Sequence, residues 1–207
     1  MTAPVGAALA ASGSIHNKET SMIRSCTFAL GLALFAAAPA SGQGEAAATR
    51  PSLGFDVHVT APHVVNGETM GPIHHFCKPI RSEPVVIQCI LFETMDANAP
   101  MTEVEYIVAK SVTRNRIDRD EWNRAWHDHA TEIASGRVQV HDMPAEEAAK
   151  IAELVSTTDG LIFHLWPPGS DIPTGEVSIA QAVSHVELSE EEFEAQKAAL
   201  TAPAGTQ

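Results

Sequence analysis

Two short stretches of the 207-residue chain concentrate the residue types that hold metal ions: "HHFC" at 74 to 77 and "WHDH" at 126 to 129. Neutral imidazole is the commonest protein ligand for zinc, copper, iron and nickel, and a carboxylate is a usual companion. One reading is therefore a divalent transition-metal site on His75, His127 and His129, completed by Glu105 or His164. The other is that these histidines are half-buried hydrogen-bonding groups ordering loops beside Trp122 and Trp126. That role is the commoner one and the sequence favours it, because HH and HxH are short patterns and no zinc spacing such as CxxC occurs. His164, inside the apolar "FHLW", reads most simply as a satisfied core histidine. No spacing identifies a catalytic residue.

Whether His127 and His129 can share an ion depends on the element that carries them. On a helix, steps of 100° would turn the two rings roughly 200° apart, whereas the period of two on a strand points both to one side. Asp118, three residues before Glu121, has the spacing of a capping box and opens a helix. That helix is expected to stop near Trp126, giving way to a strand "HDHATEI", a turn at "ASG" and a strand "RVQVHD". Thr131 and Ile133 are β-branched, Gly136 suits a turn, and Val138 alternates with Val140.

The partner stretch lies in a hairpin. "IHHFCKPI" and the apolar "VVIQCILFE" flank a tip near Glu83, so the numbers of facing residues sum to about 166 and Cys77 stands opposite Cys89. His75 shares the face of Cys77, with Ile87 and Leu91 beside Cys89. For an exported chain the expected state of the two thiols is a cross-strand disulfide, worth about 3 kcal/mol in the chain-entropy model. Soft metal ligands, inert core thiols and a nucleophile paired with His75 are the alternatives. The next strand, "TEVEYIVAK", puts Glu103, Glu105 and Ile107 on one side and Val104, Tyr106 and Val108 on the other.

The remaining elements supply the frame. "FDVHVT" alternates as a half-buried strand, and "APHVVNGETMGP" reads as a loop. After Pro144, "AEEAAKIAELVSTT" forms a helix with Ala148, Ile151, Ala152 and Val155 on one stripe, ended by Asp159-Gly160. "LIFHLW" and "EVSIAQAVS" are strands joined by the Pro-rich and Gly-rich "PPGSDIPTG". Ser189 caps a last helix through Glu192, whose other glutamates form a solvated face. Strands and helices in irregular order predict a single α+β domain, a largely antiparallel sheet with two to three helices packed on it.

The composition, 44% hydrophobic and 19% charged, suits a globular protein, and a net charge of −13 argues against nucleic acid as a partner. From Met22 the chain shows one Arg, an apolar run and Ala38-Pro39-Ala40, which fits a cleaved export signal. The expected organisation is an extension and signal at 1 to 40, a flexible linker at 41 to 52, the α+β domain at 53 to 188, and an acidic helix and tail at 189 to 207. Such a chain is periplasmic or secreted, keeps Cys77 and Cys89 after Cys26 leaves with the signal, and has no transmembrane span in its mature part.

"HHFC", "QCILFE", "EVEYIVAK", "WHDHATEIASG" and "FHLWPPGSDIPTGEV", in this order from about Gly54 to Ser184, resemble the oil body-associated protein family. That family is built on a domain of unknown function shared by plants and bacteria, and it implies no catalytic activity. The export signal separates this chain from an oil-body location. Lacking a long apolar hairpin, it would make lipid contact only peripherally. Two function classes follow. The first is an exported binding or structural module whose His-centred polar pocket takes a small ligand or a metal; the second is a metal-dependent enzyme using the same cluster.

Overall fold

A computed structural model describes residues 51–201; the export-signal and linker expectations up to residue 50, Cys26 among them, lie outside the described residues. The chain runs β1 (Val57–Val65), β2 (Glu68–Ser82), β3 (Val85–Phe92), β4 (Met101–Ala109), α1 (Lys110–Arg116), α2 (Arg119–Ala125), β5 (Trp126–Asp128), α3 (His129–Ala134), β6 (Gln139–Val140), α4 (Ala145–Ser156), β7 (Thr158–His164), β8 (Ser178–Ala182) and α5 (Glu190–Thr201). The α+β mixture and the antiparallel pairing are as expected, but the sheet closes on itself. β1 pairs with β2 on one side and β8 on the other, so β1-β2-β3-β4-β7-β8 form a six-stranded barrel, with β5 and β6 added outside it. Stepping through lateral partners from Val57 to Cys77, Cys89, Glu105, Ile162, Ala180 and Val65 returns to β1 eight residues further on, the stagger a tilted barrel needs.

Five helices replace the expected two to three, because α1 and α3 are single short pieces of seven and six residues that carry little periodicity of their own. Three local expectations also change. "APHVVNGETMGP" is no loop: β1 and β2 run to a two-residue turn at Asn66 (φ 51°) and Gly67 (φ 84°), the pair that a tight hairpin favours. "HDHATEI" is not a strand beyond Asp128. The carboxylate of Asp128 accepts from Ala130 N at 2.7 Å and starts α3, which ends at Ala134 and is followed by a turn through Gly136 (φ 70°), and "RVQVHD" shrinks to the two residues of β6. Asp159-Gly160 does not end α4 but lies within β7, where both residues are buried.

The Cys77–Cys89 register is as expected, with a disulfide joining residues whose Cα atoms are 4.0 Å apart. It closes the apolar part of the barrel interior together with Ile73, Ile87, Leu91 and Ile107. Outside the barrel, Trp122, Ala125, Trp126 and Phe193 pack α2, β5 and α5 into a second core. The Ser189/Glu192 box forms with both of its reciprocal bonds, whereas at Asp118/Glu121 the Asp118 carboxylate accepts from Glu121 N and the Glu121 carboxylate turns to Arg124 instead. No helix among the described residues is long and apolar enough to cross a membrane.

Candidate functional site

Alternation along the strands decides which polar groups enter the barrel. On β4 the inward set is Glu103, Glu105 and Ile107; on β1 and β2 it includes His63 and His75; on β7 it is Ile162 and His164. β5 adds His127, which lies laterally against Gly160, and the start of α3 adds His129 and Glu132. All of these polar groups are buried. Taking so many ionisable groups out of water is expensive unless they satisfy one another.

Their contacts run in a chain. Glu103 accepts from His164 Nδ1 at 2.8 Å and from His63 Nδ1 at 2.7 Å. His63 Nε2 then meets His75 Nε2 at 3.1 Å, and His75 Nε2 stands 3.7 Å from Glu105 Oε2. The other oxygen of Glu105 lies 3.2 Å from His129 Nε2 and 3.4 Å from His127 Nε2. Glu132 is 4.0 Å from His129 Nε2. One ligand atom from each of Glu105, His127 and His129 falls within 4.8 Å of the others.

Three of the rings have their tautomer set by what surrounds Nδ1. His63 Nδ1 faces a carboxylate and His75 Nδ1 faces the Ile73 carbonyl at 2.9 Å, so each must carry its proton there. Thr158 Oγ1 gives its hydroxyl proton to the Val155 carbonyl, and it can only accept from His129 Nδ1, 2.9 Å away. In the neutral form all three rings therefore point an Nε2 lone pair inward. There the lone pairs of His63 and His75 meet each other, and those of His75 and His129 meet Glu105. Acceptor facing acceptor at such distances needs a cation between, either a proton or a metal ion.

The proton affinities reflect the same crowding. Burial pushes His75 down to about 4, with neighbouring His63 adding to the effect. Burial also opposes charge on His63 and His129, but Glu103 and Glu105 respectively outweigh it and raise both imidazoles. For Glu103, hydrogen bonds from His164 and His63 overcome burial and bring the carboxyl to about 2. Glu105 is likewise held well below the usual carboxylate range, against burial, by His127 and His129.

Gly160 makes room for this. A Cβ there would collide with the His127 ring and lie 2.5 Å from Glu105 Oε1. The Asp-Gly pair that reads as a helix stop is thus the place where β7 lets the His127 ring reach Glu105.

Of the residues expected to form the site, Glu105, His127 and His129 come together and His75 stands beside them. The HxH pair converges, ring centroids 4.9 Å apart, although only His127 is on a strand: the turn into α3 at Asp128 brings His129 round. His164 is held by Glu103, apart from that group, and its buried Nε2 has no hydrogen-bond partner. His63, Glu103 and Glu132 were not expected. An Asn-Gly hairpin reading of "VVNGE" would have put His63 in a strand, and the alternation of Glu103 with Glu105 already placed both on one face.

The family model described as "Protein of unknown function (DUF1264)" matches residues 49–201. Oil body-associated protein 1B of Arabidopsis thaliana is 30% identical over 113 residues, which are 54% of this chain and 45% of that protein. Oil body-associated protein 1A of Zea mays is 31% identical over 104 residues, 49% of this chain and 42% of that protein. The matched part thus spans less than half the length of these relatives. No solved structure matches the chain.

Proposed function

The chain belongs to the family of proteins of unknown function DUF1264, and on that footing we propose that it is a binding module whose barrel holds one divalent transition metal on Glu105, His75, His127 and His129. What carries this reading is the locked tautomers. His75 and His129 have Nδ1 committed to Ile73 O and Thr158 Oγ1, the outer-shell arrangement that orients imidazole ligands toward a metal. Two ligands each about 2.1 Å from a metal stand about 3.0 to 3.4 Å apart in octahedral or tetrahedral geometry. The Glu105 contacts to His129 and His127, at 3.2 and 3.4 Å, are in that range, and the one to His75, at 3.7 Å, is just outside it. A single divalent ion answers the acceptor contacts around Glu105 together, whereas protons must each charge a buried ring.

The disulfide supports export, since such bridges persist in oxidising compartments. The oil-body names belong to plant relatives, and this reading gives the present chain no place on an oil body.

Elemental analysis of protein exported through its own signal and purified without chelator tests the proposal. About one equivalent of a transition metal per chain is expected, lost in Glu105→Gln. Metal-free wild type that takes up no zinc on addition, or a variant that retains the metal, would contradict it.

A further inference from the structure

Above the polar cluster lies a cavity of about 190 Å³ whose walls are almost wholly apolar. Val59, Ile87 and Ile107 of the barrel face Ile133, Ile151 and Val155 of α3 and α4 across it, with His75, Glu105, His127 and His129 as its floor. α4 has an apolar stripe, yet none of its residues is fully buried. The helix roofs the barrel end without filling it. Half-exposed Leu154 and exposed Pro79 also line the space, so it reaches the surface.

From this shape we infer that the cavity receives a short monocarboxylic acid, its chain against the apolar walls and its carboxylate on the metal; this rests on the metal reading proposed above. Size limits the ligand. An apolar cavity of about 150 Å³ holds benzene, six heavy atoms, so by the same ratio this one holds about eight, the size of hexanoate. Chemistry limits it further. Apart from Lys78 beside Pro79, whose ammonium is held by the Leu53 carbonyl and lies over the Phe55 ring, the walls are apolar, so the polar atoms of a ligand sit together at one end. Glu105 and Glu132 on the floor would repel a carboxylate by themselves, and a divalent cation among the Nε2 atoms reverses that repulsion.

The test titrates the zinc-loaded protein with hexanoate, acetate and hexanol by calorimetry, with zinc content measured separately and chelator-treated protein as control. Hexanoate is expected to bind at one site, at least tenfold tighter than acetate or hexanol, and not to metal-free protein. Ala152→Trp, which extends a ring from α4 into the cavity, is expected to weaken hexanoate at least tenfold with zinc content unchanged. Since the acetate comparison uses only wild type, a variant that fails to fold leaves the inference exposed to refutation. If zinc is bound but hexanoate binds no tighter than acetate or hexanol, the ligand assignment falls and the metal site stands. Equal binding to chelated protein overturns the metal-headed mode. Failure to load zinc at all removes the metal reading, and this one with it.

Discussion

Strand β7 borders two buried polar networks that have been completed in opposite ways. On its outer side Asp159 accepts from Arg114 Nε at 3.0 Å, Arg114 Nη2 at 2.9 Å, Trp122 Nε1 at 3.1 Å and the Thr113 hydroxyl. The guanidinium lies over the Trp122 ring, 4.0 Å from its centroid. Donors meet acceptors, cation meets anion, and α1 and α2 are tied to the barrel. On the inner side, one or two residues along, acceptors converge on acceptors around Glu105. The outer network has its counter-charge within the chain, only Arg114 Nη1 going without a hydrogen-bond partner, and its role is structural; the inner one is where the proposed cation would sit.

The largest expected effect comes from unbalancing the complete network. Arg114→Met leaves the buried Asp159 carboxylate without its counter-charge, with only Trp122 Nε1 and the Thr113 hydroxyl still donating to it, which costs about 3–5 kcal/mol. Thermal melting should show the loss. A change below about 1 kcal/mol would mean that Asp159 finds another partner and that the contrast between the networks is overstated.

Gly160→Ala attacks the inner network sterically. Overpacking of this kind costs about 1–3 kcal/mol, and displacement of the His127 ring should weaken metal binding while far-ultraviolet circular dichroism stays unchanged. Undiminished metal affinity would remove His127 from the ligand set.

Much of this was legible in the sequence because it is local. The facing of Cys77 and Cys89 follows from one turn and one apolar run, and the capped helix starts at Asp118 and Ser189 need only a spacing of three. Closure of the barrel depends on β1 meeting β8, residues more than a hundred apart, and no local pattern encodes it. At "HDHATEI" the β-branched Thr131 and Ile133 argued for strand, but a carboxylate in position to cap outweighed propensity. At Asp159-Gly160 a turn-like pair is required in a strand by its neighbours: Arg114 needs the carboxylate and His127 needs the missing Cβ. The histidines were seen as a group, but the Nδ1 acceptors that give them a common direction are a backbone carbonyl and a threonine far along the chain.

A subtler change sharpens the comparison. Thr158→Val removes the acceptor that fixes the His129 tautomer without touching a ligand atom. Loss of such an outer partner typically weakens metal binding about 10–100-fold. Zinc titration against a competing chelator would read this, and an unchanged affinity would mean that His129 is oriented by packing alone.

A further effect is one of pH. Glu103 titrates at about 2 in the folded chain against an ordinary 4.5, so its hydrogen bonds from His164 and His63 contribute stability that is complete above about pH 4.5. That contribution drains away as pH falls from there through 2. In chelated protein, Glu103→Gln should therefore flatten the dependence of melting temperature on pH in this acid window. An equally steep fall would place the acid sensitivity elsewhere.

Histidine ¹⁵N NMR, recorded on chelated protein and again after zinc is added, reads the facing lone pairs themselves. His63, His75 and His129 should each carry a proton on Nδ1 throughout. Zinc should move the Nε2 resonances of His75 and His129 to metal-bound values, with His127 joining them. Neutral rings protonated on Nε2 in the metal-free state, or Nε2 resonances that zinc leaves in place, would contradict a barrel built to hold a cation.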